Sequence, residues 1–222
     1  MKHLKLLIYD VKEMGYGFFL TPVMLLLLIS YTIMINDESV TLGIMDMHQH
    51  FVGPLAAWWV VMSFYSYTDE DGGEAFLSYP FSRRYIGMGR TLIFVSCFLV
   101  LVFLDISILY VSGVCNDSTM FAMCALVSGQ AFFYGSFGFF LVVRLNSVLW
   151  ALAMVLAIAF VNIWGIVPKL EAYITVTIVM KRSLNMGDIL YKLVYAIIVS
   201  FILIVAGSRI FVKYEKSKMV PL

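Results

Sequence analysis

The sequence predicts an all-α membrane protein with six transmembrane helices, and three observations lead there. Hydrophobic residues make up 62% of the 222 and charged residues only 13%, far from the roughly 45–50% and 25% typical of soluble domains. Six stretches reach or approach the roughly 20 apolar residues that a bilayer demands: Phe18 to Ile35, Met47 to Tyr67, Thr91 to Val114, Phe121 to Val143, Val148 to Val167 and Ile189 to Phe211. These runs are long and uninterrupted, without the short alternation of barrel strands, and unpaired backbone polar groups are too expensive in hydrocarbon for irregular chain. The whole chain, 1–222, reads as one transmembrane domain.

Lysine and arginine set the expected orientation. Lys2, Lys5 and Lys12 precede the first run, Arg83, Arg84 and Arg90 lie between the second and third, and Arg144 follows the fourth. The tail carries Arg209, Lys213, Lys216 and Lys218. The first and third connections hold Asp37, Glu38, Asp46 and Asp117 and no basic residue. The positive-inside rule therefore places both termini in the cytoplasm of a multi-pass protein of the cell membrane. The fifth connection, 168–188, departs from this pattern with Lys169, Lys181 and Arg182. Its apolar centre, Tyr173 to Met180, is too short to span; it either dips into the membrane shielded by protein or folds as a strand or cap on the outer surface.

In residues 1–16, Leu4, Leu7, Ile8 and Val11 recur at helical spacing among Lys2, Lys5, Lys12 and Glu13. This pattern fits a helix lying in the inner interface, with its lysines toward lipid phosphate, or a cytoplasmic extension of the first span. Gly15 and Gly17, beside Tyr16, Phe18 and Phe19, read as a flexible joint and interfacial anchor. The first apolar run has no small-residue cleavage site behind it and reads as a retained helix.

Several chemistries find no candidates. A net charge of +1 without basic clusters gives no footing for nucleic acid. Cys97, Cys115 and Cys124 are too few and too dispersed for a disulfide framework or metal cluster, though Cys115 and Cys124 bracket one short turn. His48 and His50 are two residues apart and point to different helix faces, so with Gln49 they read as a polar cluster at headgroup level. No Ser/His/Asp, Cys/His or His-Glu-x-x-His constellation is present, so the chain itself is not expected to be an enzyme. Asp105 lies inside the third apolar run, where an ionisable group is expensive. It is either part of a translocation path and a site for a cationic group, or a tie between helices, or a carboxyl kept protonated by desolvation. Trp58 and Trp59 read as packing within the second span, and Trp150 and Trp164 as belt residues near opposite ends of the fifth. In the fourth run, Ser128, Gly129, Gly135, Ser136 and Gly138 allow close approach of helices.

The second connection, 68–90, carries more information than a solvated loop needs. Acidic residues and glycines open it, and a short amphipathic stretch with Phe76, Leu77, Tyr79 and Phe81 follows. Pro80 punctuates it, and Arg83, Arg84 and Arg90 lead back to the membrane. Arg90 reads as an anchor of the third span at the phosphate layer. The stretch resembles the permeases of type-2 ABC transporters, with Glu70, Gly72, Glu74, Leu77, Ser78, Pro80, Ser82, Arg83, Gly89 and Arg90 at matching positions. The resemblance covers the whole chain in topology and this one stretch in motif. Where that family often has Asn-Pro near the outer end of the fifth helix, this chain has Gly165-Ile166-Val167-Pro168.

The resemblance implies that the stretch is a coupling helix seated in a groove of a separate cytoplasmic ATPase. Glu74, Phe76, Leu77, Tyr79, Pro80, Phe81, Ser82, Arg83 and Arg84 would then form the docking surface. Aromatic anchors and charge-assisted bonds from the arginines suit that task. This chain has no phosphate-binding loop of the Gly-x-x-x-x-Gly-Lys-Ser/Thr type, so ATP and Mg2+ would be held by the partner and no cofactor by this chain. Expected partners are that ATPase, a second permease copy or paralogue, and membrane lipid. Export of an amphipathic or hydrophobic peptide, lipid or drug from a bacterial cell is the implied function. A non-transporting membrane protein, such as an immunity or sensor partner, is the alternative.

Overall fold

A computed structural model describes residues 2–35, 41–68, 85–114, 116–163 and 186–218. The described residues are all-helical: α1 (Lys2–Met14), α2 (Gly17–Ile35), α3 (Thr41–Ser63), α4 (Tyr65–Thr68), a π turn (Tyr85–Gly89), α5 (Arg90–Val111), α6 (Asp117–Leu145), α7 (Val148–Ile163) and α8 (Met186–Lys218). Four helical stretches are long and apolar enough to cross a membrane: Gly17–Met34, Ile86–Val111, Met120–Leu145 and Ile189–Lys213. Two more, Phe51–Ser63 and Val148–Val161, are apolar but shorter. The chain is thus compatible with a multi-pass membrane protein.

The 29 residues of α6 make it the axis of the bundle. Its apolar window is 78% buried, against 17% for α2 and 22% for α8, and α3, α5, α7 and α8 all pack on it. Small residues make this possible. A Cβ on Gly135 would lie 2.6 Å from Val95 Cγ2 of α5, and one on Gly138 2.8 Å from Val61 Cγ2 of α3. Both distances are shorter than real Cβ contacts, so glycine is what lets the helices meet. These two small residues of the fourth run serve contacts within the chain.

Side-chain contacts give the direction of every long helix. The indoles of Trp58 and Trp59, near the end of α3, donate to the carbonyls of Gly17 and Phe18 at the start of α2, at 2.9 and 3.0 Å. Pro22 explains the second bond: the Phe18 carbonyl would normally accept from the N–H four residues on, which proline lacks. The two tryptophans expected merely to pack within the second run therefore also tie α2 to α3. Phe64, which follows α3, meets Phe139 late in α6 in a tilted contact with centroids 5.2 Å apart, and Phe211 late in α8 edge-to-face at 6.3 Å. At the opposite end, Ile189 of α8 packs with Ala122 and Leu126 of α6, and Tyr110 of α5 donates to Asp117 of α6 at 2.7 Å. Successive long helices from α2 to α6 therefore run in alternating directions, and α8 runs parallel to α6.

One apolar run is broken where the sequence reading joins it, and the N-terminal segment is separate from the first span, as one of its two readings has it. The run Met47 to Tyr67 is not one helix. The Ser63 hydroxyl donates to the Val60 carbonyl at 2.7 Å, a local bond that competes with the helical ladder, and the chain turns at Phe64 before α4. The N-terminal segment is a helix of its own, since Gly15 adopts φ +53° and ends α1. Its expected apolar face is divided: Asp10 and Met14 are buried and Leu7 packs against the core, whereas Ile8 and Tyr9 are exposed. The connection 168–188 lies outside the described residues except for the first three residues of α8, and so does Cys115.

Candidate functional site

The residues proposed for partner docking, Glu74, Phe76, Leu77, Tyr79, Pro80, Phe81, Ser82, Arg83 and Arg84, lie outside the described residues. The two roots from which that connection springs are described, and they converge on one cluster. On the α4 side, Tyr67 packs in a tilted contact on Phe211 of α8, ring centroids 4.9 Å apart. On the α5 side, the π turn buries Ile86 and sets Gly87 against Phe139 and Phe211. The Thr91 hydroxyl donates to the Gly87 carbonyl at 2.9 Å, satisfying an acceptor where the π turn gives way to the α-helix. One aromatic node formed by Phe64, Phe139 and Phe211 thus receives both roots.

Arg90 opens α5 inside this node. It is 2% exposed, and a buried guanidinium requires a paired anion. Asp10 of α1, also 2% exposed, supplies it: Arg90 Nε donates to Oδ2 at 2.7 Å, and Nη2 donates to Oδ1. The guanidinium carbon lies 5.5 Å from the Phe64 ring centroid, in cation–π range. Burial pushes the Asp10 carboxyl above its ordinary value, and the charge and hydrogen bonds of Arg90 act against that rise. Arg90 is therefore no phosphate-layer anchor; it is committed to protein. On the other root, the exposed Glu13 of α1 accepts a hydrogen bond from Ser66 of α4 at 2.5 Å.

A second polar centre sits deeper. His48 Nε2 of α3 and Asp105 Oδ2 of α5 lie 3.0 Å apart, with both side chains 1% exposed. Asp105 is fifteen residues along α5 from Arg90, about 22 Å at 1.5 Å per residue, so the two polar centres are well separated along the helix. Asp105 makes the tie between helices that is one of its sequence readings, with His48 of α3 at its other end. Asp105 Oδ1 and both amide atoms of Gln130 on α6 are buried without a hydrogen-bond partner among the described residues. Asp105 does not line an open apolar trough of about 560 Å³ between α2, α3 and α7. Leu28, Tyr31, Phe51, Pro54, Trp58 and Phe160 are among its walls. Among the described residues, no group of three or more His, Cys, Asp or Glu is placed to hold a metal ion.

Two pairings escaped the sequence reading, and each had a signal. Asp10 falls on the buried stripe of α1 with Leu7 and Met14, and an acid on such a stripe calls for a cation. His48 and Asp105 each lie fifteen residues from the same end of their helices, Ser63 for one and Arg90 for the other, so antiparallel neighbours bring them to one depth. No protein-family model, curated protein or solved structure matches the chain.

Proposed function

We propose that the chain is the membrane-spanning subunit of an ATP-driven exporter, crossing the bilayer six times with both termini in the cytosol. A separate cytoplasmic ATPase would grip the connection between the second and third spans. The observation that carries this reading is the mechanical setting of that connection. Its motif resembles the coupling segment of type-2 ABC permeases, and its roots enter a node shared by α3, α5, α6 and α8. Force applied to the connection is delivered at once to four helices, as alternating access by rigid-body repacking requires.

Charge supports the orientation. Lys12, Arg90, Arg144, Arg209 and Lys213 all belong to the end of the bundle where the roots emerge; Lys192 is the described exception near the other end. That distribution favours this end facing the cytosol. The two apolar helices shorter than a full span, Phe51–Ser63 and Val148–Val161, would complete the six with less apolar residues beyond them. The apolar trough suits a hydrophobic or amphipathic substrate, whether peptide, lipid or drug. ATP and Mg2+ would reside on the partner, and a second copy or paralogue would complete the pathway.

Affinity purification from the native host tests the reading. A stoichiometric ATPase should accompany the chain, and Tyr79→Ala with Arg83→Ala and Arg84→Ala should release it without unfolding the membrane helices. A chain that purifies intact with no ATPase would favour an immunity or sensor role instead.

A further inference from the structure

We propose that α1 is a strap that fixes the separation of the two roots of the 69–84 connection. Its contacts fall on both sides of that connection. Glu13 accepts from Ser66 just before it, and Asp10 binds Arg90 just after it. Asp10 and Glu13 are three residues apart on one helix, so the two contacts lie within one turn of α1 and share a rigid body about 4.5 Å long. The Asp10 contact is the strong one, bidentate and buried; the Glu13 contact is exposed and serves as a guide.

The attachment is built to be released as a unit. Gly15, at φ +53° with nothing within 4 Å of the place a Cβ would occupy, is the joint between α1 and α2. Tyr16 beside it is 96% exposed, whereas Met14 before it is buried in the core, so a swing about Gly15 must withdraw Met14 as well as part the two polar contacts. If α1 moves about Gly15, Arg90 loses its counter-charge while still held over Phe64, and the start of α5 and the end of α4 lose their common tether together. The outer face of α1, with Ile8, Tyr9 and Lys12 exposed, is the surface through which an anionic lipid headgroup layer would act on the strap. α1 has this role whatever grips the connection, and its test needs no ATPase.

The test is a spin-label distance measurement on the full-length chain in detergent micelles. Labels go on Tyr65→Cys and Met88→Cys, one on each root, with Cys97, Cys115 and Cys124 replaced by Ser. The parent should give one narrow distance distribution. Asp10→Asn and Glu13→Ala, made separately, should each broaden it, Asp10→Asn more. The charge-inverted pair Asp10→Arg with Arg90→Asp should narrow it again, a rescue that general destabilisation would not give. Glu13 is exposed, so Glu13→Ala keeps the fold even if Asp10→Asn does not. A Glu13→Ala distribution identical to the parent overturns the strap, and so does a folded Asp10→Asn chain that remains narrow.

Discussion

Trp59→Phe isolates a single hydrogen bond whose need is created by a proline. The Trp59 ring lies parallel to Phe18, centroids 4.7 Å apart and planes within 8°, and a phenylalanine keeps most of that stack. What it loses is the Nε1 donor to the Phe18 carbonyl, which Pro22 has already deprived of its helical partner. A buried acceptor left unsatisfied costs about 1–3 kcal/mol. Hydrogen bonds between membrane helices average about 0.6 and reach about 1.7 kcal/mol. The expected loss is therefore about 1–1.5 kcal/mol, roughly a tenfold shift in the unfolding equilibrium, read by denaturant titration of the purified protein in bicelles. In a Pro22→Ala background the helical N–H returns, and the same substitution should cost less than about half as much. Trp58→Phe is the control: Thr21 supplies an N–H to the Gly17 carbonyl, so the cost should be small. Equal costs for Trp59→Phe in both backgrounds would refute the link between Pro22 and the indole.

Asp105→Leu removes the buried hydrogen bond to His48 Nε2 and should destabilise by about 1–3 kcal/mol; Asp105→Asn, which keeps a hydrogen-bonding group toward His48, should cost less, as a thermal unfolding comparison would show. Gly135→Ala places a Cβ against Val95 and should cost about 1–3 kcal/mol through overpacking, with Val95→Ala recovering part of it in the same assay. Phe64→Ala removes the ring on which Phe139, Phe211 and Arg90 converge and should cost about 3–5 kcal/mol, accompanied by faster amide exchange at the starts of both α4 and α5.

Composition and run length made the helical class plain, because a bilayer leaves a sequence this apolar few alternatives. The helix ends were less legible. Ser63 and Phe64 break a run that hydropathy alone joins, since the break comes from a hydroxyl competing with the ladder and from aromatic contacts to α6 and α8. Tertiary pairing was hidden for a similar reason. The mate of Asp105 is 57 residues away in sequence, and only the antiparallel packing of α3 and α5 brings His48 to it. Arg90 looked like a lipid anchor because a basic residue before an apolar run usually is one; Asp10, on the buried stripe of α1, takes it out of the interface. The aromatic and basic pattern of 76–84 lies outside the described residues, and what the structure adds is that the segments flanking this connection pack into the core through Tyr67 and Ile86.

The sidedness of Ser82 tests the central claim most directly. With Ser82→Cys as the sole cysteine, a membrane-impermeant maleimide should leave intact cells unlabelled, should label inverted vesicles, and should label them more slowly when the ATPase is bound. Labelling of Ser82→Cys in intact cells would contradict a cytosolic grip on this connection.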